Sequence, residues 1–193
     1  MKNPLENLHK ALGLGLALTV LVFLLRSHYS MIVEANFWAF IFRYIHVFLG
    51  ILWIGLLYYF NFVQIPSMPK IPDEQKPAIS KVIAPSALFF FRWAAAGTVL
   101  FGLLTAWSNG YIGEALTVRA PAQTIGIGMW LALIMAANVW FVIWPNQKKV
   151  LGIVTADADS KKVAGRIAML ASRTNTMLSI PMLYCMVGQQ NIG

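Results

Sequence analysis

The sequence predicts an all-α, polytopic membrane protein, a bundle of about five transmembrane helices in one domain over residues 1–193. Of these residues 59% are hydrophobic and only 11% are charged, whereas a soluble domain carries about 25% charged residues. The mean hydropathy is +0.66, and apolar runs close to the roughly 20 residues that span a bilayer recur along the chain. The net charge of +8 is spread between these runs rather than over one basic face. We therefore expect a lipid bilayer around the chain and no nucleic-acid partner.

Five segments are predicted to span the membrane, at about 8–25, 37–63, 85–107, 124–144 and 164–187. The first is interpreted as an uncleaved anchor, because the letters RSHY that follow it contain no small-residue cleavage site. Pro85 suits the first turn of the third segment, Pro145 ends the fourth, and Pro181 predicts a kink in the fifth. The proline-rich stretch 64–84 is predicted to be a loop along the inner surface.

The basic residues of the loops predict the orientation of the chain. One side of the predicted bundle carries Lys2, Lys10, Lys70, Lys76, Lys81, Lys148, Lys149, Lys161 and Lys162, and the other carries Arg26 and Arg119. Because Lys and Arg concentrate in cytoplasmic loops, the N-terminus is predicted to be cytoplasmic. We expect a multi-pass protein of a bacterial cytoplasmic (inner) membrane.

Four ionisable residues lie well inside the predicted spans: Arg43 and His46 on the second, Arg92 on the third and Arg173 on the fifth. All seven acidic residues lie outside the spans. Counting 1.5 Å per residue from the predicted helix starts brings His46, Arg92 and Arg173 within several ångströms of one level. An arginine at mid-membrane costs about 2.5–3.5 kcal/mol, so these side chains are predicted to face the bundle interior.

Helical periodicity places further residues beside His46. Arg43, His46, Gly50 and Trp53 recur at spacings of three, four and three residues, which puts all of them on one stripe of the second helix. Gly50 beside His46 would leave room for a flat group. These residues, together with Arg92, Arg173 and Met177, form the predicted cofactor-binding set.

Two interpretations of this set remain open. In the first, His46 ligates a metal or haem iron and the arginines neutralise haem propionates or an anionic substrate. The second axial ligand would be Met177 or Met169, which flank Arg173 at four residues on either side, and His28 is a weaker ligand candidate. In the second interpretation, His46 is a packed polar residue, and the arginines bond to carbonyl groups or snorkel to the interface. No catalytic residue is assigned.

Three stretches resemble one family. They are RYIHVFLGILWIGLLYYFNFVQ on the second segment, NVWFVIWPNQKKV at the end of the fourth and SRTNTMLSIPMLYCM on the fifth. They are similar to the membrane domain of the bacterial urate hydroxylases, the urate oxidase N-terminal family. The histidine followed by WIG also resembles small membrane proteins thought to bind haem b. The longer urate hydroxylases have more helices and a cytochrome c domain, whereas this sequence has no CxxCH, so urate chemistry is not transferred.

The resemblance and the buried residues together favour a membrane b-type haem protein that transfers electrons or oxidises a small substrate, with His46 as an axial ligand. If it is an enzyme, it would be an oxidoreductase. The alternatives are a protein that binds or transports an organic anion and a structural subunit of a larger membrane complex. The expected protein partners are a c-type cytochrome, another membrane subunit or a second copy of the chain.

Overall fold

The computed structural model describes residues 3–25 and 35–191, so the predictions that involve Lys2, Arg26 and His28 lie outside it. Its main helices are α1 (Leu8–Leu25), α2 (Ala35–Tyr58), α3 (Ala84–Ser108), α4 (Ile112–Leu116), α5 (Gln123–Asn138) and α6 (Ala158–Asn191). No strand occurs among the described residues. The predicted all-α class is confirmed.

Four helical stretches are long and apolar enough to cross a membrane. They are Leu8–Leu25, Phe37–Lys70, Lys76–Ser108 and Gln123–Val150. Helix α6, the predicted fifth span, packs along α5 and is 34 residues long, but it is not among these four. Its polar side chains explain the difference: Ser172, Asn175 and Ser179 are buried against other helices, and the first turns of α6 are charged. The chain is thus a multi-pass membrane bundle.

The predicted loop over 64–84 is wrong, because most of it is helical. Helix α2 continues through a π-helical turn (Tyr59–Gln64) into Ile65–Ser67 and Met68–Lys70, and α3 is preceded by Lys76–Ala78 and a π-helical turn (Ile79–Ile83). Another such turn (Val139–Ile143) carries α5 into Trp144–Val150. Each π-helical turn ends two residues before a proline, namely Pro66, Pro85 or Pro145. A widened turn accommodates the proline ring and the missing N–H without ending the helix.

Two helix pairs build the bundle, α2 against α3 and α5 against α6. Small residues bring each pair close together. A Cβ atom at Gly97 of α3 would lie 2.6 Å from Leu49 of α2, and one at Gly128 of α5 would lie 2.8 Å from Cys185 of α6. Between the pairs lies an apolar core whose most buried large side chains include Trp53, Leu57, Phe91, Met135 and Val139. By contrast, no residue of α1 is buried.

Polar side chains join α6 to its neighbours. Asn175, which is fully buried, donates to the Met135 carbonyl at 2.9 Å and accepts from Asn138 at 2.8 Å. Asn61 donates to Ser172 at 2.8 Å. Interhelical hydrogen bonds of this kind contribute about 0.6 kcal/mol on average in membrane bundles. They therefore fix the position of α6 even though its buried face is polar.

Candidate functional site

A cavity of about 600 Å³ lies among α2, α3, α5 and α6. Arg43, His46, Gly50 and Trp53, the stripe predicted on α2, all line it. The opposite walls are mainly apolar and come from α5 and α6, while α3 contributes Thr98, Gly102 and neighbouring residues. Pockets for small molecules and cofactors typically measure about 300–1,000 Å³ and have mostly apolar walls with a few polar groups. The cavity has the size and composition of a ligand site.

His46 is held in one orientation by the backbone of α3. Its Nδ1 lies 2.7 Å from the carbonyl oxygen of Thr98. Because a carbonyl oxygen can only accept, Nδ1 carries the proton, and Nε2 keeps a free lone pair. Nε2 has no hydrogen-bond partner among the residues that the structure describes. The same arrangement, with one ring nitrogen donating to a carbonyl group, orients the other nitrogen in histidines that bind metals.

Gly102 allows this close approach of the imidazole to α3. A Cβ atom there would lie 2.9 Å from both Cε1 and Nδ1 of His46. At Gly50, the glycine that the sequence singled out, a Cβ atom would lie 3.8 Å from Thr98 Cγ2, which is an ordinary contact. Gly102 is therefore the glycine that the His46 position requires, and sequence reasoning missed it because it lies on a different helix.

Trp53 contributes an unpaired donor to the cavity wall. Its side chain is 0% exposed and lines the cavity. Its indole Nε1 is buried and has no hydrogen-bond partner within the described part of the chain. Since buried polar groups are normally paired, this unpaired N–H on a residue of the cavity wall is an unusual feature.

Polar residues gather at the end of the cavity that lies near the α3–α4 connection. Arg43 donates to Asn109 Oδ1 at 3.5 Å, and Tyr111 lines the cavity with Arg43 and Asn191. Burial raises the pKa of the Tyr111 phenol, and the positive charge of Arg43 partly opposes this rise. Tyr111 is thus neutral at physiological pH and can donate a hydrogen bond.

Arg92 and Arg173 do not line this cavity, so the predicted pocket with three arginines is not formed. His46 lies level with Thr98, and Arg92 is six residues earlier on α3, about 9 Å along the helix axis. The Arg92 guanidinium instead stacks on the Trp144 ring, 3.4 Å from its centroid. The prediction that His46, Arg92 and Arg173 share one level is wrong. The depths were counted from residues 85 and 164, whereas helical structure precedes α3 from Lys76 and α6 begins at Ala158.

The methionines of the cavity are also not the predicted ones. Met129, Met182 and Met186 line the cavity, whereas Met169 and Met177 do not. Met177 is 63% exposed. It lies five residues before Met182, and five residues of helix turn the side chain about 140° away. Met182 and Met186, four residues apart, share the face of α6 that meets the cavity.

Protein side chains alone do not form a metal site in the described residues, where no group of three His, Cys, Asp or Glu side chains could hold an ion. Haem supplies its own equatorial nitrogens, and a single histidine can hold its iron from the protein side.

The fold and the cavity define a class: this is a multi-pass helical membrane protein with one oriented histidine in an apolar cavity. The family model for "Urate oxidase N-terminal" matches residues 92–191, and the chain belongs to that family. The matched range includes the similar stretches at residues 138–150 and 172–186 and begins after the His46 stretch of α2. No curated protein and no solved structure matches the chain.

Proposed function

We propose that this chain is a membrane b-type haem protein, of the type of the urate hydroxylase membrane domain, and that it transfers electrons or oxidises a small substrate. The observation that carries the proposal is the geometry of His46, whose Nδ1 donates to the Thr98 carbonyl at 2.7 Å and whose Nε2 is free. Nε2 is the proposed ligand of the haem iron. Haem held in this way supplies reversible one-electron chemistry at the iron.

The residues of the cavity fit such a group. A volume of about 600 Å³ and mainly apolar walls suit a flat, largely apolar cofactor. The Thr98 carbonyl keeps the imidazole in the ligating tautomer and raises its basicity. The unpaired Nε1–H of Trp53 is available to donate to an acceptor in the cavity.

Arg43 and a methionine complete the proposed site. Arg43 lines the cavity and lies within reach of Asn109, where its charge would neutralise a propionate carboxylate. As a second protein ligand that would hold the iron we propose Met182 or Met186, which line the cavity, in place of Met169 and Met177. A c-type cytochrome or another subunit of a bacterial inner membrane is the proposed electron partner.

The optical spectrum of the purified protein tests the proposal. Protein from haem-replete cells is expected to show a Soret band, and His46→Ala is expected to abolish or shift it. His9→Ala is the matched control, because His9 is exposed at the start of α1 and is expected to leave the band unchanged. A colourless wild-type preparation, or a His46→Ala spectrum identical to that of wild type, would contradict the proposal.

A further inference from the structure

A second hollow, of about 400 Å³, lies between the π-helical turn that follows α2 and the middle of α6. Its lining combines one cation, two polar side chains and three apolar ones: Arg173, Asn61, Thr176, Phe62, Met177 and Ile180. The apolar members are open to the surroundings, with Phe62 65% and Ile180 68% exposed. In a membrane protein, an open apolar rim of this kind faces lipid.

Arg173 lacks a partner of opposite charge inside the membrane. The only ion pair among the described residues joins Lys76 and Asp73. All seven acidic residues of the sequence lie outside the spans, so a second copy of this chain cannot bring a carboxylate to the level of Arg173. An arginine exposed to lipid needs an anion or water, and the surrounding bilayer contains an abundant anion, the phosphate of its headgroups.

The depth of Arg173 agrees with a headgroup contact. Gln189 marks one end of the bundle, where it accepts a hydrogen bond from the backbone of Ile125 at the start of α5. Arg173 lies 16 residues before Gln189, about 24 Å along α6. If a hydrocarbon core about 30 Å thick begins at the level of Gln189, Arg173 is about 6 Å from its opposite boundary. An arginine side chain crosses such a distance by snorkelling.

The boundary that Arg173 approaches is the lysine-rich face of the bundle. The lysine-rich face is the end that carries Lys70, Lys76, Lys81, Lys148, Lys149, Lys161 and Lys162. Arg166 lies seven residues, or two helical turns, before Arg173 and is therefore nearer this face. It is exposed and lies on the same side of α6 as Arg173. Basic residues at this position attract anionic lipids.

We propose that the hollow is a binding site for one anionic phospholipid of the leaflet at the lysine-rich face. Arg173 donates to the lipid phosphate, Asn61 and Thr176 lie beside the headgroup, and an acyl chain runs along Phe62, Met177 and Ile180. This site is separate from the His46 cavity, and its occupation does not depend on haem.

Native mass spectrometry of the detergent-purified full chain tests the proposal, with phosphatidylglycerol and phosphatidylcholine added in parallel. Wild type is expected to retain phosphatidylglycerol preferentially. Arg173→Gln is expected to weaken that retention about fivefold, the factor for one basic residue near an anionic surface, and to leave phosphatidylcholine unchanged. Arg173→Lys and Arg119→Gln are the matched controls and are expected to behave as wild type.

A second variant keeps the test independent of any folding defect in Arg173→Gln. Ile180→Trp retains the charge but fills the hollow from an exposed position, and it is expected to reduce phosphatidylglycerol retention without lowering the melting temperature of the lipid-free protein. Equal retention by wild type and Arg173→Gln overturns the proposal. The proposal is also overturned if inorganic phosphate stabilises the protein as much as the lipid does, or if a co-purifying protein covers Arg173 in place of lipid.

Discussion

Replacing Gly102 with alanine tests the candidate site from the side of α3. The added Cβ atom would lie 2.9 Å from Cε1 and Nδ1 of His46, whereas carbon atoms in ordinary contact are about 3.5–4.0 Å apart. The ring must therefore move away from α3 by about 0.6–1.1 Å. The hydrogen bond from Nδ1 to Thr98, now 2.7 Å long, then stretches to or beyond the upper limit of about 3.2 Å.

The expected loss follows from that hydrogen bond. Its net contribution is about 0.5–1.5 kcal/mol, and 1 kcal/mol shifts the melting temperature of a chain of this size by about 2–4 °C. Gly102→Ala is thus expected to lower the melting temperature in detergent by roughly 1–6 °C relative to its controls. If His46 ligates haem as proposed, the Soret band of the same preparation is expected to weaken or shift, because His46 loses its orientation.

Two glycines of α2 provide the matched controls for this substitution. At Gly50 the new Cβ atom would make an ordinary contact of 3.8 Å with Thr98, and at Gly55 it would meet nothing within 4 Å. Both changes bring the same gain in helix propensity as Gly102→Ala. If Gly102→Ala has the melting temperature of both controls and the spectrum of wild type, the assigned role of Gly102 in holding His46 is refuted.

Two further predictions concern α4 and the start of α6. Gly126→Ala is expected to lower the free energy of unfolding by about 1–3 kcal/mol, because its Cβ atom would overlap the backbone of Ala115. Thermal melts measure this loss. They should show no such loss for the control Gly113→Ala, whose Cβ atom has open space. At the start of α6, the backbone N–H of Ser160, followed by its hydroxyl, lowers the pKa of the Asp157 carboxyl below 3.8. The lowered pKa means that the ionised carboxylate stabilises the folded state above about pH 4, and that this stabilisation disappears as the pH falls through the folded pKa. Melts at pH 7 and pH 3 should therefore show Asp157→Asn below wild type at pH 7 and a smaller gap at pH 3, and an equal gap at both pH values would contradict the assigned cap.

Much of the fold could be predicted from the sequence because it depends on local properties. Apolar length alone determines which segments can enter a bilayer, and α1 was predicted at its observed bounds, 8–25. The predicted second span, 37–63, was too short because the proline-rich stretch that contains Pro66 was interpreted as a loop. In the structure a π-helical turn absorbs that proline, and whether a helix breaks or widens at a proline depends on what packs around it.

The candidate site was predictable in part. Arg43, His46, Gly50 and Trp53 lie on one helix, where their spacing alone puts them on one face, and all of them line the cavity. Residues on other helices could not be assigned in this way. Arg92 and Arg173 are on other helices, and neither of them lines the cavity.

The sequence by itself thus determined that the protein is a membrane helix bundle and which face of α2 carries its histidine, because hydropathy and helical period are properties of a single segment. Only the tertiary structure decided that Thr98 and Gly102 hold His46, that Met182 and Met186 rather than Met169 and Met177 reach the cavity, and that Arg173 lines a separate hollow beside Asn61. These outcomes depend on how each helix is rotated and how far it slides against its neighbours. Packing at small residues and the π-helical turns set both quantities, and neither can be obtained from one helix at a time.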